Sequence, residues 1–127
     1  MTLDYEARFL RRKVLTTETG ASILADLAQT VSLDQGDALE MENGVLIGIE
    51  AAPEPLVRVS GDNLPRLAWH IGNRHTPCQI NADHLLIQRD HVIMAMLAHL
   101  GADMTEVTEP FTPEGGAYGH GRTHAHE

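Results

Sequence analysis

The apolar positions in the first half of the chain fall in short runs separated by turn residues. Glu6–Leu15, Ala21–Leu27, Ala38–Met41, Val45–Ala51 and Leu56–Ser60 each read as a strand. Glu42-Asn43-Gly44, between two of these runs, reads as a hairpin turn, and Gly20 and Gly36 punctuate other connections. Strands this short, with turns every several residues, predict a small sandwich or barrel-like module. Ala52-Pro53-Glu54-Pro55 breaks the pattern, because two prolines in three residues are not expected to continue a central strand. The first domain is therefore placed at residues 1–54.

Beyond that break the period changes. Gly61-Asp62-Asn63 is a turn ending in good N-cap residues, and Leu64, Leu67, Ala68 and Ile71 recur at helical spacing, with Pro65 in the tolerant first turn. Cys78–Ile80 and His84–Gln88 read as two strands joined at Asn81-Ala82-Asp83. Asp90 is expected to cap a second helix carrying Val92, Ile93, Met96, Leu97 and Leu100, with Gly101 ending it, and Met104–Val107 reads as a last strand. With Leu56–Ser60 as its first strand, the second domain, residues 55–109, has the order β-α-β-β-α-β of a ferredoxin-like unit. The fold class is then α+β: an all-β domain followed by a ferredoxin-like one. From Glu109 onward, prolines and glycines leave little to pack, so residues 110–127 are expected to form a flexible tail.

Composition narrows the possibilities. A chain of 127 residues with 43% apolar content can bury a core, and with 4% aromatic residues that core must be aliphatic. The formal charge of −9 argues against nucleic acid as a partner, since phosphate binding needs clustered Lys and Arg. No secretory signal and no membrane-spanning run is expected, and the single cysteine, Cys78, suits a reducing cytosol.

The candidate chemistry lies in the eight histidines. Between the first helix and the following strand stands Gly72-Asn73-Arg74-His75-Thr76-Pro77-Cys78-Gln79-Ile80. Pro77 forces Thr76 into an extended conformation and ends the helix, Gly72 is free to take conformations closed to other residues, and His75 is displayed at the helix end. The segment Tyr118-Gly119-His120-Gly121-Arg122-Thr123-His124-Ala125-His126 is a short His-rich tract. Imidazole is the common ligand of late first-row divalent metals, and such a tract would discriminate poorly among nickel, copper and zinc. A polar tail or purification tag is the bland alternative for the tract, and a hydrogen-bonded helix-end residue is the bland alternative for His75.

Nothing beside His75 in the sequence supplies three further ligands. There is no C-x-x-C or H-E-x-x-H, so a closed structural zinc site within one protomer is not expected. One physical solution is symmetry, with two His75 rings meeting across a two-fold axis. His91 stands next to Asp90, whose carboxylate could orient the ring, share the metal or simply cap the helix. His91 and His99 are about 12 Å apart along one helix and cannot chelate together. His70, His84 and His99 read as polar-face residues. A Cys–His nucleophile through Cys78 is disfavoured, because no helix N-terminus follows it to lower its pKa. No phosphate loop or nucleophile elbow appears, so no enzymatic activity and no catalytic residue is assigned.

The segment from Gly72 to Ile80 resembles the central motif of the urease accessory protein E family, nickel metallochaperones of urease maturation. Ala51-Ala52-Pro53-Glu54 resembles that family's interdomain segment. Asp90-His91-Val92 with Met96-Leu97 resembles its second metal-domain helix, and Pro110 to Gly119 resembles the stretch before its histidine-rich tail. The resemblance implies an N-terminal β domain that docks protein partners and a C-terminal ferredoxin-like domain that forms a homodimer. It implies that His75 from each subunit binds one Ni(2+) as cargo near the two-fold axis. His120, His124 and His126 would add ligands or sites, and His91 is taken as a further candidate metal ligand. Zn(2+) or Cu(2+) would compete. Delivery to the urease apoprotein would run through the other urease accessory proteins, including a GTPase, in the cytoplasm, without nucleic acid or membrane. The three tail histidines are few for a nickel store, and where some members carry more histidines on the second helix this chain has Arg89-Asp90 before His91. An adaptor of a metal-enzyme assembly complex, with metal only regulatory, is the alternative.

Overall fold

The structure is a computed structural model and describes residues 1–115. The N-terminal half is built from short strand pairs. β1 (Thr2–Leu3) lies parallel to β6 (Glu50–Ala51). β2 (Phe9–Thr16) and β3 (Ser22–Ser32) form an antiparallel hairpin with a register shift between Leu10 and Arg12. β4 (Ala38–Glu40) and β5 (Leu46–Gly48) form a second hairpin around Asn43 and Gly44. Gly44 takes the left-handed conformation there, and Asn43 Oδ1 accepts the Val45 N–H. Leu10, Leu15, Ala25, Leu39 and Ile49 make the aliphatic core between these pairs. Among the described residues they remain three separate two-stranded sheets and not one closed barrel.

Two features differ from the sequence pattern. The run from Glu6 does not begin as a strand: the Asp4 carboxylate accepts the Ala7 N–H at 2.8 Å, and Arg8 N–H donates to the Asp4 carbonyl, so residues 4–8 curl into a turn. The third strand also runs on to Ser32, because the start of β2 supplies it with partners, Phe9 opposite Ser32.

The second half is one four-stranded sheet with two helices. Its elements are β7 (Pro53–Ser60), α1 (Leu64–Asn73), β8 (Cys78–Ile80), β9 (Leu85–Gln88), α2 (His91–His99) and β10 (Asp103–Pro110). The strands stand in the order β10-β7-β9-β8, each antiparallel to its neighbour. Pro53 and Pro55 do begin a central strand, contrary to the expectation from their sequence. They are tolerated because β9 joins β7 only from Leu56 onward, so at the proline end β7 is paired on the β10 side alone. Asn63 caps α1 by accepting the Arg66 N–H, and Asp90 caps α2 by accepting from Val92 and Ile93 at 2.9 and 3.1 Å.

Alternation along the strands sorts the sheet into two faces. Val57, Val59, Leu85 and Ile87 meet Leu67 and Ile71 of α1 and Ile93 and Leu97 of α2. The opposite face, which bears no helix among the described residues, presents Leu56 and Leu86 to Tyr5 and Phe111. The chain past Glu109 therefore packs at its start, where little packing was expected: Phe111 is fully buried, edge-on to Tyr5 at 5.4 Å between ring centres. Arg8 is buried beside them, its Nη2 donating to the Phe111 carbonyl while Nε and Nη1 find no partner among the described residues. Tyr5 N–H also donates to the Glu54 carboxylate. Both ends of the described chain thus seal the same sheet face. No described helix is long and apolar enough to cross a membrane.

Candidate metal centre

The two helices end in the same hydrogen-bond pattern. At the end of α2, Gly101 N–H donates to the Ala98 carbonyl and Ala102 N–H to the Leu97 carbonyl, both at 3.0 Å. At the end of α1, His75 N–H donates to the Gly72 carbonyl at 2.9 Å and Thr76 N–H to the Ile71 carbonyl at 3.3 Å. Both are Schellman motifs, which require a left-handed residue after the cap. In α2 that residue is Gly101 (φ 83°), as the motif prefers; in α1 it is His75 (φ 56°), the only described non-glycine residue with positive φ. The permissive backbone expected at Gly72 is therefore at His75: Gly72 completes the last turn of the helix without a positive φ, and its Cα faces open space. A β-carbon in the left-handed region costs about 1–2 kcal/mol, so the turn holds a strained, exposed imidazole where glycine would be relaxed.

His75 forms one wall of a cleft of about 360 Å³ shared with Tyr5, Glu6, Ala68, Cys78 and Glu114. Tyr5 and Glu6 come from the N-terminal turn. Glu114 is brought in by its N–H, which donates to the Cys78 carbonyl at 2.9 Å at the open edge of β8. Burial pushes the Cys78 thiol up to about 11, and the Glu114 carboxylate adds to the shift, so at neutral pH the sulfur is protonated and neither a nucleophile nor a ready ligand.

The other candidate residues are scattered. His91 is exposed in the first turn of α2 and is not part of the cleft, and Asp90 beside it is occupied in capping. His70 stacks edge-on against Trp69 on α1, His99 is exposed at the end of α2, and His84 is bonded to Asp83 and Asn81. His120, His124 and His126 lie outside the described residues. Among the described residues, no three His, Cys, Asp or Glu side chains come close enough together to hold an ion. Tyr5 and Glu6 carried no sequence signal as cleft residues, being separated from His75 by the whole N-terminal domain; Glu114 was visible only as part of the Pro-Glu-Gly-Gly segment.

Residues 1–52 match the N-terminal domain of the UreE urease accessory protein, and residues 54–127 match its C-terminal domain. The chain belongs to the UreE family. Similar proteins carrying the name urease accessory protein UreE include one from Ruegeria sp. (strain TM1040), 69% identical over 122 residues that make up 96% of this chain and 69% of that one. One from Ruegeria pomeroyi is 63% identical over 99% of this chain and 85% of its own length, and one from Paracoccus denitrificans is 55% identical over 95% and 77%. UreE proteins are, by that family name, accessory proteins of urease, and this chain has their two-domain architecture of mixed α/β content, mostly strands.

Proposed function

We propose that this UreE chain is a nickel carrier that hands Ni(2+) to the urease apoprotein during active-site assembly, with no catalytic turnover. The observation that carries the reading is His75, an exposed imidazole held at a left-handed helix end where glycine would be easier. Strain maintained at one exposed metal-binding side chain argues for a use of that side chain. Among the described residues few ligands surround it, which supports a site shared across a two-fold axis of a homodimer, one His75 from each copy.

The cleft favours the tail histidines as further ligands. Glu114 stands in the same cleft as His75, and His120 follows six residues later, a span of at most ~20 Å, so His120, His124 and His126 are tethered within reach of the ion. His91 is the weaker candidate, outside the cleft. On this reading residues 1–54 dock partners, residues 55–109 form a ferredoxin-like metal-binding and dimerisation domain, which the strand order and two one-sided helices support, and residues 110–127 carry the further ligands. The partners are urease apoprotein and the remaining accessory proteins, including a GTPase, in the cytosol, where the lone thiol stays reduced. Zn(2+) and Cu(2+) compete, since imidazole sites rank metals by availability and geometry as much as by identity.

Calorimetric titration of nickel into the full chain and into His75→Ala tests the claim. One tight ion per dimer, lost in the variant, is expected; unchanged tight binding in the variant would sink it. A second reading, an assembly adaptor, draws on the exposed apolar pair Val14 and Leu24, cross-strand neighbours on the N-terminal hairpin. Pull-down of urease accessory proteins with and without chelator separates the two, because an adaptor binds equally well without metal.

A further inference from the structure

A chain of hydrogen bonds runs from the C-terminal segment back across the sheet. Thr112 N–H donates to Gln79 Oε1 at 2.8 Å, Gln79 Nε2 to Asn81 Oδ1 at 3.2 Å, and Asn81 Nδ2 lies 2.9 Å from His84 Nε2. His84 Nδ1 is 2.6 Å from Asp83 Oδ1, whose carboxylate also faces Arg58 of β7 at 3.8 Å. One end of this chain cannot reverse, because a backbone N–H only donates. Thr112 fixes Gln79 with its oxygen forward. Gln79 then presents its NH₂ to Asn81, and Asn81 presents its own NH₂ to His84. His84 Nε2 must therefore accept, which places the single ring proton on Nδ1, donating to Asp83. That bond holds the Asp83 carboxyl below the ordinary aspartate value, and the Arg58 guanidinium adds to the effect.

We propose that His84, Asn81 and Gln79 form a proton-sensitive latch that fastens residues 112–114 to the edge of β8. When Nε2 takes a proton from solvent it becomes a donor facing the Asn81 donor. Asn81 relieves the conflict by turning its amide, which sets its NH₂ against that of Gln79. Gln79 turns in its place, and its NH₂ then faces the Thr112 N–H. The last bond is lost, and with it one of the two hydrogen bonds, the other being Glu114 N–H to the Cys78 carbonyl, that hold the segment against the sheet beside the cleft. The charged group bonded to the ring is Asp83 on its own turn, and Arg58 on β7 faces that carboxylate; Gln79, Asn81 and Thr112 are neutral. The latch goes beyond the nickel reading and operates without metal, so it stands or falls separately.

The test is NMR on the full metal-free chain with chelator present. At about pH 8 the His84 ring nitrogens should report the Nδ1–H tautomer; the Nε2–H tautomer overturns the proposal. Protection factors of the Thr112 and Glu114 amides should fall roughly three- to tenfold as the His84 ring protonates, the worth of one hydrogen bond, while the amides of β7 and β9 stay protected. His84 protonating with Thr112 protection unchanged overturns it. In His84→Gln, which cannot titrate, Thr112 protection should no longer depend on pH; the same dependence in that variant overturns it. Gln79→Met, which cuts the chain, should leave Thr112 poorly protected at every pH with the sheet intact, and wild-type protection there also overturns it.

Discussion

Replacing His75 by glycine and by alanine separates what the imidazole does from what the backbone beneath it endures. Both substitutions remove the ring. Alanine keeps the β-carbon and so keeps the left-handed strain at φ 56°. Glycine removes that strain, worth about 1–2 kcal/mol, but its freer unfolded chain returns about 0.5–1 kcal/mol of it. The net expectation is that His75→Gly is more stable than His75→Ala by about 1 kcal/mol. For a chain of 127 residues this corresponds to roughly 3–5 °C in melting temperature. Because any contact of the ring is lost equally in both variants, their difference isolates the backbone. Thermal unfolding with chelator, at one protein concentration, reads it directly. Equal melting temperatures, or a less stable glycine variant, would refute the claim that α1 ends on a strained left-handed histidine. Gly101→Ala at the matching position of α2 is the internal control and should be destabilised by a similar amount.

Three further outcomes are expected. Cys78, raised from 9.0 to about 11, exposes roughly a hundredfold less thiolate near neutral pH than an unperturbed thiol, so iodoacetamide should alkylate it about a hundredfold more slowly than a free cysteine; comparable rates would contradict its burial. Arg8→Ala, which leaves the buried Phe111 carbonyl unpaired and opens a cavity, should lower stability in urea unfolding by about 2–4 kcal/mol. Arg8→Met, which fills the space and removes two nitrogens that find no partner among the described residues, should lose markedly less, and equal losses would show that packing is not what Arg8 supplies. Asp83, with its carboxyl held below the usual 3.8, contributes stability that is present above about pH 4 and fades as pH falls further, so Asp83→Asn should flatten the stability–pH curve in that acid range; identical curves would contradict the His84 bond.

The parts of the molecule readable in its sequence are those specified by neighbours in sequence. Leu67 and Ile71 mark α1 by their spacing, Asn63 and Asp90 cap their helices with their own side chains, and Gly101 closes α2 with its own backbone freedom. Asp4 turned the chain where the apolar pattern suggested a strand, because a carboxylate–amide bond three residues away outweighs a short hydrophobic run. Pro53 and Pro55 suggested a break because what makes them harmless is an absent neighbour in the sheet, which only topology reveals. At the candidate site, His75 was legible as a helix-end residue. Its left-handed backbone was not, since histidine does not advertise the motif as glycine does. Tyr5, Glu6 and Glu114 were invisible as companions of His75 because the fold, and no local pattern, assembles them.

The seal on the helix-free sheet face also sets an order of events during synthesis. Tyr5 and Arg8 leave the ribosome early, while Phe111, whose carbonyl Arg8 holds, follows 103 residues later. The N-terminal hairpins draw mainly on contacts within the first half and can form while the chain grows, whereas Leu56 and Leu86 stay uncovered until the last described strand is complete. Nascent chains stalled between α2 and Phe111 should therefore be the species most dependent on chaperones. Cutting the chain at the junction of its two domains would take Tyr5 and Arg8 from the second fragment, leaving Phe111 to cover Leu56 and Leu86 without its ring partner and its carbonyl without the Arg8 donor.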